Sequence, residues 1–387
     1  MDDKNVKKID ALLQVTTEMN ASDMFVTKGF PPAVKKDGKI TPIADEKLDD
    51  SEAKSLVYAL MNQRQLEEYK STNEVNFAVY KPGIGRFRVN AFTQQGACGM
   101  VLRVIDTRVP SIDELGLPGI LKEIIMSKRG LVIMVGGTGS GKSTSLAAMV
   151  DYRNANSYGH IITIEDPIEF VHQHKNCIVM QREVGVDTLD WEVALKNTLR
   201  QAPDVILLGE IRDRETMEFG ITFAETGHLA LATLHANSAN QALDRIVNFF
   251  PEERRAQLLT DLSLNLRAII SQRLVNKQEA GGRIAAVEIL KQSPLVADLI
   301  LKGEIHGLKE LMAKSNESGM RTFDQALFDL YQGGIIGLEE AVNNADSQNE
   351  LRLRIKLEGD TGSGQLTSDG KVGLSLEVQE EFGTKRR

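Results

Sequence analysis

The sequence predicts an α/β chain: a mostly parallel sheet with covering helices, preceded by a smaller α+β unit and completed by C-terminal helices. Three observations predict it. From Leu121 onward, short apolar runs ("LVIMV", "HIITI", "DVILLG", "LALATL") alternate with stretches of helical spacing, the rhythm of strands joined by crossover helices. Before Ile105 the extended runs are instead separated by tight-turn signals, as in an antiparallel sheet. Between the two regimes, "VIMVGGTGSGKSTSLAAMV" at 132–150 sets a glycine-rich turn between a buried-strand run and a helix.

The elements follow in order. Val6, Ile9, Leu12 and Leu13 recur at helical spacing and predict a first amphipathic helix. "DMFVTKG" and Pro31-Pro32 follow, and Asp37-Gly38 inside "AVKKDGKITPI" predicts a hairpin turn. One helical stretch from Ser51 to Tyr69 precedes the runs "VNFAVY", "RFRVNAF" and "CGMVLRVI", which closes the first unit at about residue 105. "DTRVPSIDELGLPG" is polar and marked by Pro and Gly, so 106–119 reads as a linker. The region 120–358 then carries the strand–helix alternation and is mostly helical beyond Leu295. The Gly/Ser/Asp-rich segment 359–387 is expected to be a disordered tail. No internal repeat is visible.

Composition narrows the function classes. The 387 residues are enough for two cores. Two cysteines, Cys98 and Cys177, lie far apart without a C-x-x-C pair, so a disulfide framework or thiolate zinc site is not expected and a reducing cytoplasm fits. The charged start and the lack of an eighteen-residue apolar run predict neither a classical export signal nor a membrane span. A net charge of -8 disfavours nucleic acid as the main partner.

Residues Gly136, Gly137, Thr138, Gly139, Ser140, Gly141, Lys142 and Ser143, followed by Thr144, fit G-x-x-x-x-G-K-[ST]. In such a loop glycines leave backbone N–H groups free to wrap a phosphate, and the following helix adds its positive dipole end. Lys142 is placed to reach the β- and γ-phosphates of ATP, and Ser143 to ligate Mg²⁺.

In a parallel sheet the ligand lies at the carboxyl ends of the strands, so polar residues just after apolar runs are the candidates. "VILLGEIRD" ends in Glu210, where a P-loop enzyme places its Mg²⁺-associated acid. "IITIEDPIEF" ends in Glu165, Asp166 and Glu169, any one of which can orient and deprotonate an attacking water. "TGHLALATLH" carries His228 and His235 at opposite ends of one strand. At ~3.3 Å per residue they lie roughly 23 Å apart, so one γ-phosphate cannot touch both. His235, at the carboxyl end, is the phosphate-sensing candidate, and His228 reads as a contact or structural residue. His172 and His174 in "FVHQHK" read as surface residues rather than a metal pair. Arg86 and Arg88 alternate on one strand face, with Arg103 on a later strand; they form either a solvated face or a positive supplement to the nucleotide site.

Taken together, these segments resemble the secretion-type ATPases of bacterial pilus and type II secretion machines, from about Ser22 to Lys356. "GGTGSGKST" resembles their Walker A, "TIEDPIEF" their Asp box, "LRQAPDVILLGEIRD" their Walker B segment and "TGHLALATLH" their His box. Extension and secretion members usually carry a four-cysteine metal-binding insertion that two lone cysteines cannot make, which points to the retraction branch, the PilT/PilU family. The resemblance leans to the PilU side. "PLVADLILKGE" stands where the PilT side has an A-I-R-N-L-I-type helix, and "TFDQALFDLY" and "NADSQNELRLRIKLE" also look PilU-like. Gly137 replaces the usual proline of G-P-T-G.

The resemblance implies a PAS-like N-terminal domain and a RecA-like ATPase domain in a ring of six, with ATP held between the domains. It aligns Glu169 with the catalytic carboxylate and Glu210 with the Walker B glutamate, and puts His228 and His235 in the His box. It assigns Arg86, Arg88 and Arg103 to the region that supplies arginines to the nucleotide. It also implies a PilT-type partner ATPase, an inner-membrane platform protein and a cytoplasmic location at the pilus base. Three rivals stand beside the motor: an ATP-binding accessory ring, an extension or secretion ATPase, and a RecA-like nucleic-acid translocase.

Overall fold

The computed structural model describes residues 3–105, 108–279 and 281–358. The expected tail at 359–387 and the first two linker positions lie outside the described residues.

The first unit begins with the helix Asp3–Glu18, which buries Ile9, Leu12 and Leu13 as its spacing predicts. Six strands follow: β1 Asp23–Thr27, β2 Ala33–Lys36, β3 Lys39–Pro42, β4 Glu74–Lys81, β5 Gly85–Gln94 and β6 Ala97–Ile105. They form an antiparallel sheet in the order β3-β2-β1-β6-β5-β4. The β2–β3 turn is the expected hairpin, with Asp37 and Gly38 both at positive φ (49° and 79°), the conformation that an Asp-Gly turn accepts. The stretch read as one helix from Ser51 to Tyr69 is two, Asp50–Tyr58 and Gln63–Thr72. Asn62 is the reason: its side chain accepts from Gln65 N while the Gln65 side chain accepts from Asn62 N. This capping box starts a new helix where periodicity alone continues the old one. Phe77, Phe87, Met24 and Leu56 centre this unit's core.

The second sheet contains β7 Gly130–Val135, β8 His160–Glu165, β9 Ile178–Glu183, β10 Val205–Leu208, β11 Leu229–Leu234, β12 Leu266–Asn276 and β13 Arg283–Lys291. Its order is β13-β12-β7-β11-β10-β8-β9. Every neighbouring pair is parallel except the β12–β13 hairpin. The four expected strands form its centre, and β9, β12 and β13 extend it beyond what the apolar runs indicated. β12 was hidden by Ser271, Gln272 and Arg273 in its middle, and β9 by its edge position, where only Val179 and Glu183 are buried.

β7 is buried along its whole length. Leu131, Ile133 and Val135 enter the core on one face of the sheet, and Val132 and Met134 the core on the other. A strand covered on both sides needs a continuous apolar run, and "LVIMV" supplies it. Ile112 and Leu117, from the stretch read as a polar linker, are buried in the second of these cores. Beyond Pro294 the described chain is helical, with Phe323, Leu327, Ile336 and Leu351 packed on Val275 and Ala286 of the hairpin. Among the described residues no helix is long and apolar enough to cross a membrane.

Candidate functional site

The loops after β7, β8, β10 and β11 leave the sheet at the same edge, because these strands are parallel and adjoining. They converge on a cleft of about 460 Å³. Its walls include Thr138 to Ser143 of the glycine-rich turn, Glu165 at the end of β8 with Asp166 and Glu169 after it, Glu210 after β10, Thr233 of β11 and His235 just past it. Thr144 also lines it, one turn into the helix Lys142–Asn156. Residues scattered over a hundred positions of sequence meet there.

The turn is shaped from below by a residue the sequence reading missed. Gln272 of β12 donates through Nε2 to the Ser140 carbonyl (2.8 Å) and accepts from Ser145 Oγ (2.8 Å). Gly141 passes so close to this amide that a Cβ there would lie 2.7 Å from Nε2, and its φ is +84°. The positive φ favours glycine, and a Cβ would in addition displace the Gln272 amide. Gly137 shows neither constraint: its φ is not positive and nothing lies within 4 Å of a Cβ. The exchange of proline for glycine there leaves the turn intact for that reason.

Lys142 folds over the turn, its Nζ donating to Gly136 O (2.8 Å) and Gly137 O (2.9 Å). Burial lowers its pKa, while the carboxylates of Glu210 and Glu169 favour its charged form. Glu210 accepts from Arg212 Nε (2.6 Å) and lies 3.1 Å from His235 Nε2. Arg212 also reaches Asp166 (3.5 Å), so it ties the two acidic segments together. Gly209, just before Glu210, is closely packed: a Cβ there would lie 3.1 Å from Ile164 O and from the Trp191 ring.

The three carboxylates at and after the end of β8 separate by environment. Glu165 is held by Thr163 Oγ1 (2.6 Å) and Gln181 Nε2 (3.2 Å), and desolvation pushes its pKa up. Asp166 and Glu169 are exposed at the cleft mouth, with a cis peptide between Asp166 and Pro167. His172 is not the surface residue that its sequence context predicts. It is buried, lines the cleft and sits 3.9 Å from Asp151, because its loop folds back onto β9 through a His172 N–Gln181 Oε1 bond of 2.7 Å. His174 is exposed, with Nδ1 accepting from Val179 N.

The structure does not bring every candidate together. His228 lies at the far end of β11 from His235, its Nδ1 within 3.0 Å of Thr226 Oγ1 and 3.2 Å of Phe223 O. Arg86, Arg88 and Arg103 sit on the first sheet and none of them lines the cleft. Arg103 pairs with Asp23 (3.0 Å), which offsets its position directly opposite Arg88 across β5 and β6. Arg86 and Arg88 instead place their charge near Glu183.

A parallel sheet whose carboxyl edge carries a phosphate-type loop, a lysine and two opposed acidic segments defines a P-loop ATPase. Residues 2–293 match the family model described as Type II/IV secretion system protein. The chain is 54% identical over 380 residues to the type IV pilus ATPase PilU of Pseudomonas aeruginosa, covering 98% of this chain and 99% of that protein. It is 42% identical to the type IV pilus retraction ATPase PilT of the same organism, covering 87% of this chain and 98% of that one. Among solved structures, the pilus retraction motor PilT with bound ADP superposes with a TM-score of 0.82 at 40% identity, over 88% of this chain and 98% of that chain. The chain belongs to the Type II/IV secretion system protein family and is an ATPase of its PilT/PilU kind.

Proposed function

We propose that the protein is an ATP-hydrolysing motor that powers or assists type IV pilus retraction. In this reading it works as a ring of six at the cytoplasmic face of the inner membrane, with a PilT-type ATPase and a platform protein as partners. The similarity to PilU and PilT supports the pilus assignment. The observation that carries the chemistry is the convergence of Lys142, Glu169 and Glu210 on one cleft.

The backbone N–H groups of 138–143 cradle the phosphates of ATP, and Lys142 exchanges its loop carbonyls for β- and γ-phosphate oxygens. The Ser143 hydroxyl and Glu210 carboxylate are hard oxygen donors on the same cleft, the one or two protein ligands that Mg²⁺ takes beside phosphates and water. When bound, Mg²⁺ neutralises charge on the phosphate oxygens. Glu169 accepts the proton of the attacking water; Glu165 is less free for this because two donors already occupy its Oε1. His235, with Nε2 3.1 Å from the Glu210 carboxylate, reads the state of the phosphate. His228 acts at a contact away from the chemistry.

A specific observation favours the accessory-ring reading for part of the cycle. The helix Pro294–Lys302 carries "PLVADLILK", which lacks the arginine and asparagine of the PilT-side motif, and it exposes Leu295 and Leu301. Retraction would then depend on a PilT-type ring. ATP turnover by wild type, Glu169→Ala and Glu210→Ala, with mass from light scattering in the same samples, tests both. Turnover confined to a hexameric wild type supports the motor. A hexamer that binds ATP without turnover makes it the accessory ring, and full turnover by a monomer refutes both.

A further inference from the structure

Glu169 is exposed, and among the described residues its own side chain makes no hydrogen bond or ion pair. Its position over the cleft is therefore set by the backbone of its loop. That backbone is held at every second residue. Ile168 N donates to Glu183 Oε2 (3.1 Å), Phe170 O accepts from Gln181 Nε2 (2.8 Å), and His172 N donates to Gln181 Oε1 (2.7 Å). Gln181 and Glu183 are two apart on β9 and so project from one face of it. Both are anchored to the sheet: Gln181 is in register with Thr163, and Glu183 with Glu165. Glu183 is buried, and its own N–H is held by Asp187 (2.9 Å).

We propose that Gln181 and Glu183 are positioning residues for Glu169, a two-point clamp by which edge strand β9 aims the water-activating carboxylate at the cleft. The inference rests on the role proposed for Glu169. Reacting groups must be held to within a fraction of an ångström, and a loop bonded only at its ends would not do this. Gln181 does so on two sides at once, since its amide both donates and accepts, and its Nε2 also reaches Glu165. Glu183 brings in the first sheet. Its burial disfavours the carboxylate, and the charges of Arg86 and Arg88 favour it, so a shift of the first unit changes the charge environment of the clamp. Arg86 Nε, buried and without a hydrogen bond among the described residues, is a free donor on that side.

The test is steady-state ATP turnover by the full chain as wild type, Gln181→Met, Glu183→Met, Glu183→Gln and Glu169→Gln, with affinity for a fluorescent ATP analogue measured separately. The clamp predicts that kcat falls roughly ten- to a hundredfold in both methionine variants, with KM and analogue affinity close to wild type, because the phosphate loop is untouched. Glu183→Gln keeps an oxygen for Ile168 N–H and is expected to recover most of the lost kcat. Three results overturn the proposal: unchanged kcat in both methionine variants, joint collapse of kcat and affinity, or a Glu183→Gln no better than Glu183→Met. An active Glu169→Gln refutes the underlying role of Glu169 and the clamp with it. An inactive Glu169→Gln beside fully active methionine variants refutes the clamp alone.

Discussion

Replacing Gln272 by methionine isolates the support under the phosphate loop. Methionine is unbranched and of similar volume, so the exchange removes hydrogen bonds with little change in packing. It leaves the Ser140 carbonyl without its donor and Ser145 Oγ without its acceptor, in a region where Gln272 is 3% exposed and Ser145 2% exposed. Each orphaned buried group costs about 1–3 kcal/mol. Ser145 can turn its hydroxyl toward the Gly141 carbonyl in the preceding helical turn, which puts the sum near the lower end, about 2–4 kcal/mol. For a unit of this size that lowers Tm by roughly 4–16 °C. Thermal melts read the stability, and titration with a fluorescent ATP analogue reads the loop, whose relaxed carbonyl is expected to weaken affinity severalfold. A Gln272→Met protein that melts within a degree of wild type and binds with unchanged affinity would refute the reasoning.

Three further expectations follow from local geometry. Glu288 is buried beneath the helix that follows His235, accepts from Ala239 N (2.7 Å), and has its pKa raised to about 7, chiefly by desolvation. The folded state therefore holds a proton that the unfolded state releases near pH 4.5: its stabilisation is complete below that pH and lost, about 3 kcal/mol in all, as pH rises to about 7 and beyond. Melting temperatures of wild type and Glu288→Gln should diverge over this window, and parallel curves would contradict the assignment. Gly209→Ala drives a Cβ into Ile164 O and the Trp191 ring at 3.1 Å; overpacking of about 1–3 kcal/mol and a fall in turnover are expected, measured by melts and phosphate release. Arg103→Ala removes an ion pair whose arginine is 72% exposed, so analogue affinity should stay within about twofold of wild type; a tenfold loss would place Arg103 at the nucleotide after all.

Much of the site was legible because its residues follow strands. "LVIMV" is continuous because β7 is covered on both faces, and the carboxyl edge of a parallel sheet then dictates where Lys142, Glu169, Glu210 and His235 must meet. The same logic separated His235 from His228 by the length of one strand. The helix break at Asn62 was legible in principle from Asn62 and Gln65 as a capping box, a signal weaker than the apolar periodicity running across it. β9 gave no comparable signal, because an edge strand with exposed Ile178 and Met180 lacks the pattern of a buried one.

Local features were thus legible in the sequence: the glycine-rich turn with its lysine, the acids that end strands, the alternation that builds a parallel sheet. Partners distant along the chain were settled only by the tertiary structure. Gln272 reaches Ser140 from 132 residues away. His172 turns inward because Gln181 holds its backbone, and the arginines of β5 face Glu183 instead of lining the cleft. A polar side chain in a strand carries no mark of what it will meet. Burial makes that meeting obligatory, since an unpaired polar group inside the protein is costly, and burial exists only once the chain has folded.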